Sequence, residues 1–350
     1  MIPVFDGHND LLLRLYQAKD QRDVIWSGAQ GKGQLDLPRM KAGGFVGGFF
    51  AIYVPSPKSP DLGNMDAIME SPPYDLPLPE GIGAAAAQPV ALAMAGHLMA
   101  LERTGTLKIC RSLADVHAAI TAGQIAAIMH LEGAEAIDAD LDALHVWHAA
   151  GLRSVGPVWS RPTVFGHGVP FRFPGSPDSG PGLTEAGKRL IRECNALKIM
   201  IDLSHLNEAG FDDVAALSDA PLVATHSNAH AVTPSTRNLT DRQLAVIGES
   251  KGMVGLNFAT VFLNPGGRRT PFKGWEPILR HLDHLIARLG EDHVGFGSDY
   301  DGAEMPADIA DVAGLPRLLD ALAAHGYGAA LIRKIAHENW FALLRRTWGA

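Results

Sequence analysis

Cysteine is scarce in this chain, and so are the features of an exported protein. Of the 350 residues only Cys110 and Cys194 are cysteines, too few for the disulfide framework of a small secreted domain. We expect both thiols to be buried and unreactive. The N-terminal sequence MIPVFDGHND lacks the basic segment and apolar stretch of a secretory signal. Both observations predict a cytoplasmic protein.

Uninterrupted apolar runs and clusters of positive charge are also missing. The most apolar stretch, residues 84–101, contains Gln88, Pro89 and His97, so it predicts a buried helix rather than a membrane span. Lys and Arg number 30 against 38 Asp and Glu, a formal net charge of −8. With no basic run in the chain, we expect neither nucleic acid nor a membrane as a partner.

Apolar and β-branched runs alternate with helical patterns along the chain. This order is typical of βα units around a parallel sheet, and eight such units close into a barrel. We therefore predict an α/β fold, a (β/α)8 TIM barrel formed by residues 1–350 as a single domain. The eight candidate strands are Pro3–Asp6, Gly44–Val54, Ile125–His130, Ser154–Val158, Ile199–Leu203, Leu222–Thr225, Met253–Asn257 and Val294–Gly297.

Helices and long loops fill the intervals between these strands. Apolar spacing of three and four predicts helices that include Leu141–Ala150, Thr184–Leu197, Leu239–Ser250 and Glu276–Leu289, with Thr184 as an N-cap. Two segments rich in Pro, Gly and Ser, Pro55–Gly83 and Ser160–Gly182, each follow a strand. In a barrel such long βα loops lie over the C-terminal face, where active sites are built.

Imidazole and carboxylate side chains occur where the candidate strands end. His8 and Asp10 follow the first strand, Glu132 the third, His205 the fifth and His226 the sixth. The ends of barrel strands meet at one rim, so these five groups are expected to converge. Nitrogen and oxygen donors of this kind suit Zn²⁺. Two metal ions need a shared carboxylate, and Glu132 is the natural bridge because its strand lies between those of the two ligand pairs.

Each of these residues alone has an ordinary explanation. A single His, Asp or Glu is more often a core or loop residue than a ligand, and Asp299 and Asp301 in GSDYDG have the composition of a turn. Their joint placement at separate strand ends is what favours a metal centre, with Asp299 at the end of the eighth strand.

The remaining histidines favour a structural interpretation. His145, His148, His281 and His284 have spacing that imitates a helical metal pair, but their helices are expected on the outer wall of the barrel, exposed or partly buried. We interpret His130 as strand packing. Asp202 is expected to point away from the ligands.

The motifs at the strand ends resemble those of the renal (membrane) dipeptidase family, a branch of the metal-dependent amidohydrolase superfamily. The matching segments span nearly the whole chain in the family's order: DGHND at 6–10, LEG at 131–133, DLSH at 202–205, THS at 225–227, RN at 237–238 and GSDYDG at 297–302. The resemblance implies a zinc-dependent dipeptidase with two divalent metal ions, small dipeptide substrates and a homodimeric assembly.

The resemblance also implies a role for each matching residue. His8, Asp10 and Glu132 would hold one zinc, and Glu132, His205 and His226 the other. Arg237 would bind the substrate carboxylate, which suits the fixed fork of a guanidinium. Asp299 would act as general acid and base, taking a proton from the metal-bridging hydroxide or water and returning it to the departing amine.

One position departs from the family pattern. Many members carry a histidine at the end of the fourth strand, where it stabilises the tetrahedral oxyanion, whereas this chain has Trp159. Loss of an oxyanion donor costs on the order of 10²–10³ in rate. His167, Arg161 or the indole N–H of Trp159 are candidate replacements, and Trp159 as a wall of a reshaped substrate pocket is the alternative.

Two other functions stay open at this point. One keeps the metals but acts on another carboxylate-bearing amide, such as an N-acyl amino acid or a β-lactam. The other is a metal-binding homologue without catalysis, which the departure at Trp159 suggests and the presence of Asp299 opposes.

Overall fold

The computed structural model describes residues 1–57 and 65–349 of the chain. Within these ranges eleven strands are present: β1 Val4–Asn9, β2 Phe45–Tyr53, β3 Tyr74–Asp75, β4 Leu107–Ile109, β5 Ile125–Glu132, β6 Leu152–Gly156, β7 Arg172–Phe173, β8 Met200–Ile201, β9 Val223–Ala224, β10 Met253–Leu256 and β11 Val294–Phe296.

The helices lie mostly between consecutive strands. In the described ranges they are α1 Leu11–Gln17, α2 Arg22–Trp26, α3 Leu37–Ala42, α4 Met65–Met69, α5 Ala84–Glu102, α6 Leu113–Thr121, α7 Asp142–Ala150, α8 Glu185–Ala196, α9 Glu208–Leu217, α10 Asp241–Glu249, α11 Thr260–Leu263, α12 Glu276–Leu289, α13 Leu315–His325, α14 Ala329–Arg333 and α15 Asn339–Trp348.

Eight parallel strands form a barrel. Their order is β8-β6-β5-β2-β1-β11-β10-β9, which follows the chain once around the circle. The two ends of this order meet through a parallel bridge between Asp202 and Val223 and a hydrogen bond from the Leu203 amide to the Val223 carbonyl. The predicted (β/α)8 TIM barrel is thus confirmed, and its closure joins the two end strands of this order, β8 and β9.

Strand β5 illustrates how the barrel directs polar side chains inward. Successive residues of a strand face opposite sides, and Ala126 and Ile128 pack with the aromatic cluster around Trp340 at the base of the barrel. The intervening residues, such as Met129, pack under the surrounding helices. Continuing the inward series by two brings His130 and then Glu132 to the upper interior, both buried.

The predicted elements match the observed ones with shifts at their ends. Strand β1 continues to Asn9, so His8 lies within the strand rather than after it. The fourth barrel strand, predicted as Ser154–Val158, is Leu152–Gly156. Helix α12 has the predicted bounds, and Thr184 caps α8 by accepting a hydrogen bond from the Gly187 amide.

The two long loops contain short elements that the sequence pattern did not predict. Helix α4 lies in the first loop, although residues 58–64 of that loop fall outside the described ranges. Strand β3 of the first loop pairs antiparallel with β7 of the second. Together with α11, these elements build an apolar cluster beside the rim of the barrel.

Helix α5 is long and apolar enough to cross a membrane by length and composition alone. In this fold one face, which includes Ala91, Met94 and Leu98, is buried in the main core, while Leu92 on the other face is 59% exposed. The predicted buried helix is therefore buried along one face only.

Candidate metal centre

The five predicted ligands converge at the C-terminal rim of the barrel, and all are buried. His8 belongs to β1 and Asp10 directly follows it, Glu132 is the last residue of β5, and His205 and His226 follow β8 and β9. His205 has a backbone φ of 72°, a left-handed conformation that is uncommon outside glycine and clusters at functional sites. Residues from four strand ends are thereby brought to one point.

Glu132 lies at the centre of this group. Its Oε2 atom is 3.6 Å from His8 Nε2, whereas its Oε1 atom is 3.0 Å from His205 Nε2 and 3.5 Å from His226 Nε2. Each carboxylate oxygen therefore faces a different part of the ligand set. Burial disfavours the ionised form of Glu132, but the surrounding histidines, led by the charge of His8, hold its pKa well below the usual value.

His8 and Asp10 form the other side of the site, with His8 Nε2 3.4 Å from Asp10 Oδ2. Burial and the nearby charge of Glu132 raise the pKa of Asp10 to about 8. Neither ring nitrogen of His8 has a hydrogen-bond partner among the described residues. Buried carboxylates beside orphaned imidazole nitrogens are costly without a cation, so the donor set fits a metal centre.

Hydrogen bonds behind His226 determine which of its nitrogens is free to bind a metal. The Thr225 hydroxyl donates to Asp202 Oδ2 over 2.6 Å. Burial disfavours the ionised form of Asp202, but the nearby His130 and His226 and the hydrogen bonds from Thr225 hold its pKa at about 2, so it is ionised and can only accept. Thr225 Oγ1 must then accept from His226 Nδ1, 2.9 Å away. The Nε2 lone pair of His226 is left facing the site.

Asp202 therefore acts in support of the centre, and the expectation that it points away is wrong. Met200, two residues earlier, faces the barrel interior, and Asp202 shares that face. The strand ends at Ile201, so the alternation of side chains does not extend to His205. The odd sequence separation of Asp202 and His205 therefore does not place the two side chains on opposite faces. Its Oδ2 is also 3.6 Å from His130 Nε2.

The two histidines on the Glu132 Oε1 side face each other directly. Nε2 of His205 is 3.1 Å from Nε2 of His226, and Nδ1 of His205 is 2.8 Å from Ser160 Oγ. A hydrogen bond on the far nitrogen orients a metal-binding imidazole. Ser160 and Thr225 therefore act alike, each holding one ring with its Nε2 towards Glu132.

Asp299 reaches the same rim from the end of the last barrel strand. A carboxylate oxygen of Asp299 lies within 4.8 Å of ligand atoms of His8 and Asp10, and its backbone has a φ of 65°. Asn257 Nδ2 donates to its Oδ2 atom over 3.0 Å. Asp301, two residues later, is instead bound to Arg14 and to the Gln34 amide, so it organises the loop and does not enter the site.

Arg237 is buried beside the centre. Its Nη2 donates to the His226 carbonyl over 3.0 Å and its Nη1 to Ser227 Oγ over 3.3 Å, while its Nε has no partner among the described residues. The guanidinium carbon lies over the Phe262 ring, 5.4 Å from its centre. Burial lowers the pKa of Arg237 to about 10, so it keeps its charge at neutral pH with donor capacity to spare.

A cavity of about 170 Å³ opens onto the centre. This volume is below the roughly 300–1,000 Å³ of drug-sized ligand pockets, so it suits a small substrate. Trp159 forms part of its wall, with its ring 5.0 Å from that of Tyr53 and 5.6 Å from that of His205. Other residues that line the cavity include Asp10, Met69, Glu132, Phe171, Thr260, Phe262, Arg269, Asp299 and Glu304.

Two of the candidate oxyanion donors are not among the residues that line this cavity. Arg161 is fully buried and donates to Glu135 Oε1, the Val54 carbonyl and Ser56 Oγ, so its guanidinium is already engaged. His167 lies in the loop after β6, where its carbonyl accepts a hydrogen bond from the Asn207 amide. Trp159 is the one candidate of the three that lines the cavity.

Tyr53 and Asn257 were not predicted from the sequence. Tyr53 pairs in register with Glu132 across β2 and β5, and Asn257 follows β10. The signal that could have identified both is their position, because each is a hydrogen-bonding residue at the end of a barrel strand. The expectation of an exposed or partly buried His281 is wrong, because this residue is fully buried under Ala229, Thr233 and Leu263.

Comparison with known proteins agrees with this geometry. Residues 1–348 match the family model described as membrane dipeptidase, peptidase family M19. The chain is 69% identical to a metallo peptidase from Rhodobacter sphaeroides, crystallised with a phosphinate mimic of the dipeptide L-Ala-D-Ala, over 99% of both chains with a TM-score of 0.97.

Two further relatives extend the comparison. The crystal structure of the dipeptidase AC, a metallo peptidase of family M19, is 69% identical with a TM-score of 0.97, and the match covers 100% of this chain and 99% of that one. An uncharacterized protein encoded in the pqqA 5′ region of Klebsiella pneumoniae is 48% identical over 244 residues, which are 70% of this chain and 90% of the relative. The chain belongs to the membrane dipeptidase family, peptidase family M19, and is a hydrolase that acts on peptide bonds.

Proposed function

We propose that this protein hydrolyses dipeptides at a centre of two divalent metal ions, and that the ions are zinc. His8, Asp10 and Glu132 would hold one ion, and Glu132, His205 and His226 the other. The observation that carries this proposal is the position of Glu132, whose two oxygens face different histidines. A mixed set of imidazole and carboxylate donors suits zinc.

The chemistry divides between the ions and the side chains of the chain. When bound, two divalent ions would polarise the scissile carbonyl and lower the pKa of a water molecule. Asp299 would accept the proton of the attacking water, and would then deliver it to the departing amine as the C–N bond breaks. The C–O bond that forms and the C–N bond that breaks leave two free amino acids, so no serine or cysteine nucleophile is needed.

Arg237 would bind the carboxylate of the substrate. Its guanidinium is fixed by the His226 carbonyl and the Phe262 ring, and its unpartnered Nε is a donor for an anion. A buried positive charge, shielded from water, binds an anion more strongly than an exposed one. This anchor would place the adjacent peptide bond of the substrate beside the proposed metal ligands His226 and Glu132.

The size of the cavity and the relatives favour a dipeptide over a longer peptide. The relative from Rhodobacter sphaeroides binds a mimic of L-Ala-D-Ala, and a cavity of about 170 Å³ has little room beyond a substrate of that size. An N-acyl amino acid or a β-lactam would also offer a carboxylate to Arg237, so these amides belong in the same test.

Metal analysis combined with a dipeptide screen tests the proposal. The purified protein is expected to contain about two zinc ions per chain and to release free amino acids from small dipeptides. N-acetylated amino acids and a β-lactam are assayed beside them as substrates without a free amino terminus. A fully metallated protein that cleaves no dipeptide would refute the proposal, whether or not it cleaves the other amides.

A further inference from the structure

Asn257 lies directly after β10, and its side-chain amide has one possible orientation. The residue is fully buried. Its Oδ1 atom accepts a hydrogen bond from the Ala259 amide over 2.6 Å, and its Nδ2 donates to Asp299 Oδ2 over 3.0 Å. A peptide N–H can only donate, so the contact with Ala259 identifies the oxygen of the amide. The amino group must therefore face Asp299.

The backbone of Asn257 is fixed as firmly as its side chain. Its amide donates to Asn228 Oδ1 over 2.9 Å, and Asn228 Nδ2 donates back to its carbonyl over 3.0 Å. Both residues are fully buried. This reciprocal pair ties the end of β10 to the loop after β9, so the donor is presented to Asp299 from a rigid base.

The Asp299 carboxylate has few other constraints. Its backbone amide donates to the His8 carbonyl over 3.0 Å, which fixes the main chain but not the orientation of the carboxylate. Among the described residues, Asn257 Nδ2 is the one hydrogen-bond donor to the carboxylate. Oδ2 is therefore held, whereas Oδ1 is available to the reacting atoms.

We propose that Asn257 is a positioning residue that directs the transferred proton to Oδ1 of Asp299. An amide NH₂ group donates and cannot accept, so its hydrogen bond makes Oδ2 the less basic of the two carboxylate oxygens. The proton that Asp299 takes up is consequently held on Oδ1, facing the substrate, until the amine departs. This inference rests on the proposed function, because it concerns the proton-transfer step.

Two substitutions at this position test the inference. Asn257→Ala removes the donor, and Asn257→Asp keeps the size and the contact with Ala259 but places an oxygen against Asp299 Oδ2. For the preferred dipeptide of the zinc-loaded enzyme, kcat is expected to fall about ten- to a hundredfold in each variant, the value of a hydrogen bond to a charged group. KM is expected to change less than about threefold, since substrate binding does not use this contact.

A matched control separates positioning from general stability. Asn339 is also a buried asparagine, and its Nδ2 donates to the carbonyls of Glu291 and Val294 at the other end of β11. Asn339→Ala is expected to lower the melting temperature without lowering kcat. Metal content, measured for each variant, is expected to stay at the wild-type value.

The outcomes decide between the possibilities. A kcat within twofold of wild type in Asn257→Ala, or in Asn257→Asp if the alanine variant does not fold, overturns the inference. The inference is also overturned if Asn339→Ala lowers kcat as much as the Asn257 variants do, at an equal loss of melting temperature. Absence of dipeptide hydrolysis by the wild-type enzyme is a different result, because it refutes the proposed function itself.

Discussion

The hydroxyl of Thr225 donates to Asp202 Oδ2 across 2.6 Å of the barrel interior. Because that proton is committed to Asp202, Thr225 must accept the Nδ1 proton of the adjacent His226 ring. Thr225 and Asp202 thus determine the tautomer of a proposed metal ligand. Such supporting contacts usually matter for metal affinity nearly as much as the ligands do.

Thr225→Val is expected to weaken metal binding about 10- to 100-fold, the usual effect of losing such a supporting contact. Valine has the shape of threonine but cannot accept the proton of His226 Nδ1, so the ring loses its orientation. Competition with a chelator measures the change. Thr121→Val, which removes an exposed helical hydroxyl bonded to the His117 carbonyl, is the control, and equal affinity in both variants would contradict the role of Thr225.

Asp299→Asn is expected to lower kcat about 10²–10⁴-fold, the range of general acid–base catalysis. The amide is isosteric but cannot take up a proton, whereas the five ligands keep their positions. Metal analysis and steady-state kinetics of the same preparation check both halves of the prediction. Asp301→Asn alters a carboxylate bound to Arg14 and is expected to retain kcat, so equal losses in the two variants would refute the specific role of Asp299.

Arg237→Ala is expected to raise KM for dipeptides and to have much less effect on dipeptide amides, which lack the C-terminal carboxylate. Loss of a charge-assisted bidentate contact reduces kcat/KM by on the order of 10- to 100-fold. Arg237→Lys restores the charge without the fork and is expected to recover part of the loss. Equal losses for the free acid and the amide would show that Arg237 does not recognise the carboxylate.

The barrel and the positions of the ligands could be predicted because both follow from periodicity. Alternation of side chains along β5 is enough to predict that Glu132 faces the barrel interior. Because the ends of barrel strands share one rim, Glu132 is also expected close to His8. The hydrogen-bond partners could not be predicted in this way. Asp202 and Asn257 make their contacts beyond the strand ends, where side chains no longer alternate between two faces. His281 is buried by loops, whose conformation does not follow from a repeating sequence pattern.

Trp159 is expected to limit the size of the substrate side chain. Trp159→Ala removes the wall that packs against Tyr53 and His205, so kcat/KM for dipeptides with large side chains should rise relative to that for Ala-Ala. Trp159→Phe keeps a ring but loses the indole N–H. A 10²-fold or greater loss of kcat on all substrates in this variant would instead identify the indole as an oxyanion donor.

His281→Gln is expected to make the protein less sensitive to acid. In the folded protein burial lowers the pKa of His281 to about 3, although its hydrogen bond to the Leu263 carbonyl favours the charged form. Its Nδ1 atom accepts a hydrogen bond from the Ala229 amide. Unfolded chains bind this proton below about pH 6.5. Between these pH values the unfolded state therefore binds a proton that the folded state does not bind. The free energy of unfolding consequently falls as the pH drops from about 6.5 towards 3.

Urea unfolding of the metal-free protein at pH 7.5, 6.0 and 5.0 measures this dependence. Below about pH 6 the wild type is expected to lose up to about 1.4 kcal/mol more per pH unit than His281→Gln, the value for one proton. His145→Gln, which removes a histidine whose side chain is 57% exposed, should lose stability as steeply as the wild type. If His281→Gln shows the wild-type slope as well, the buried imidazole does not set the acid sensitivity of this barrel.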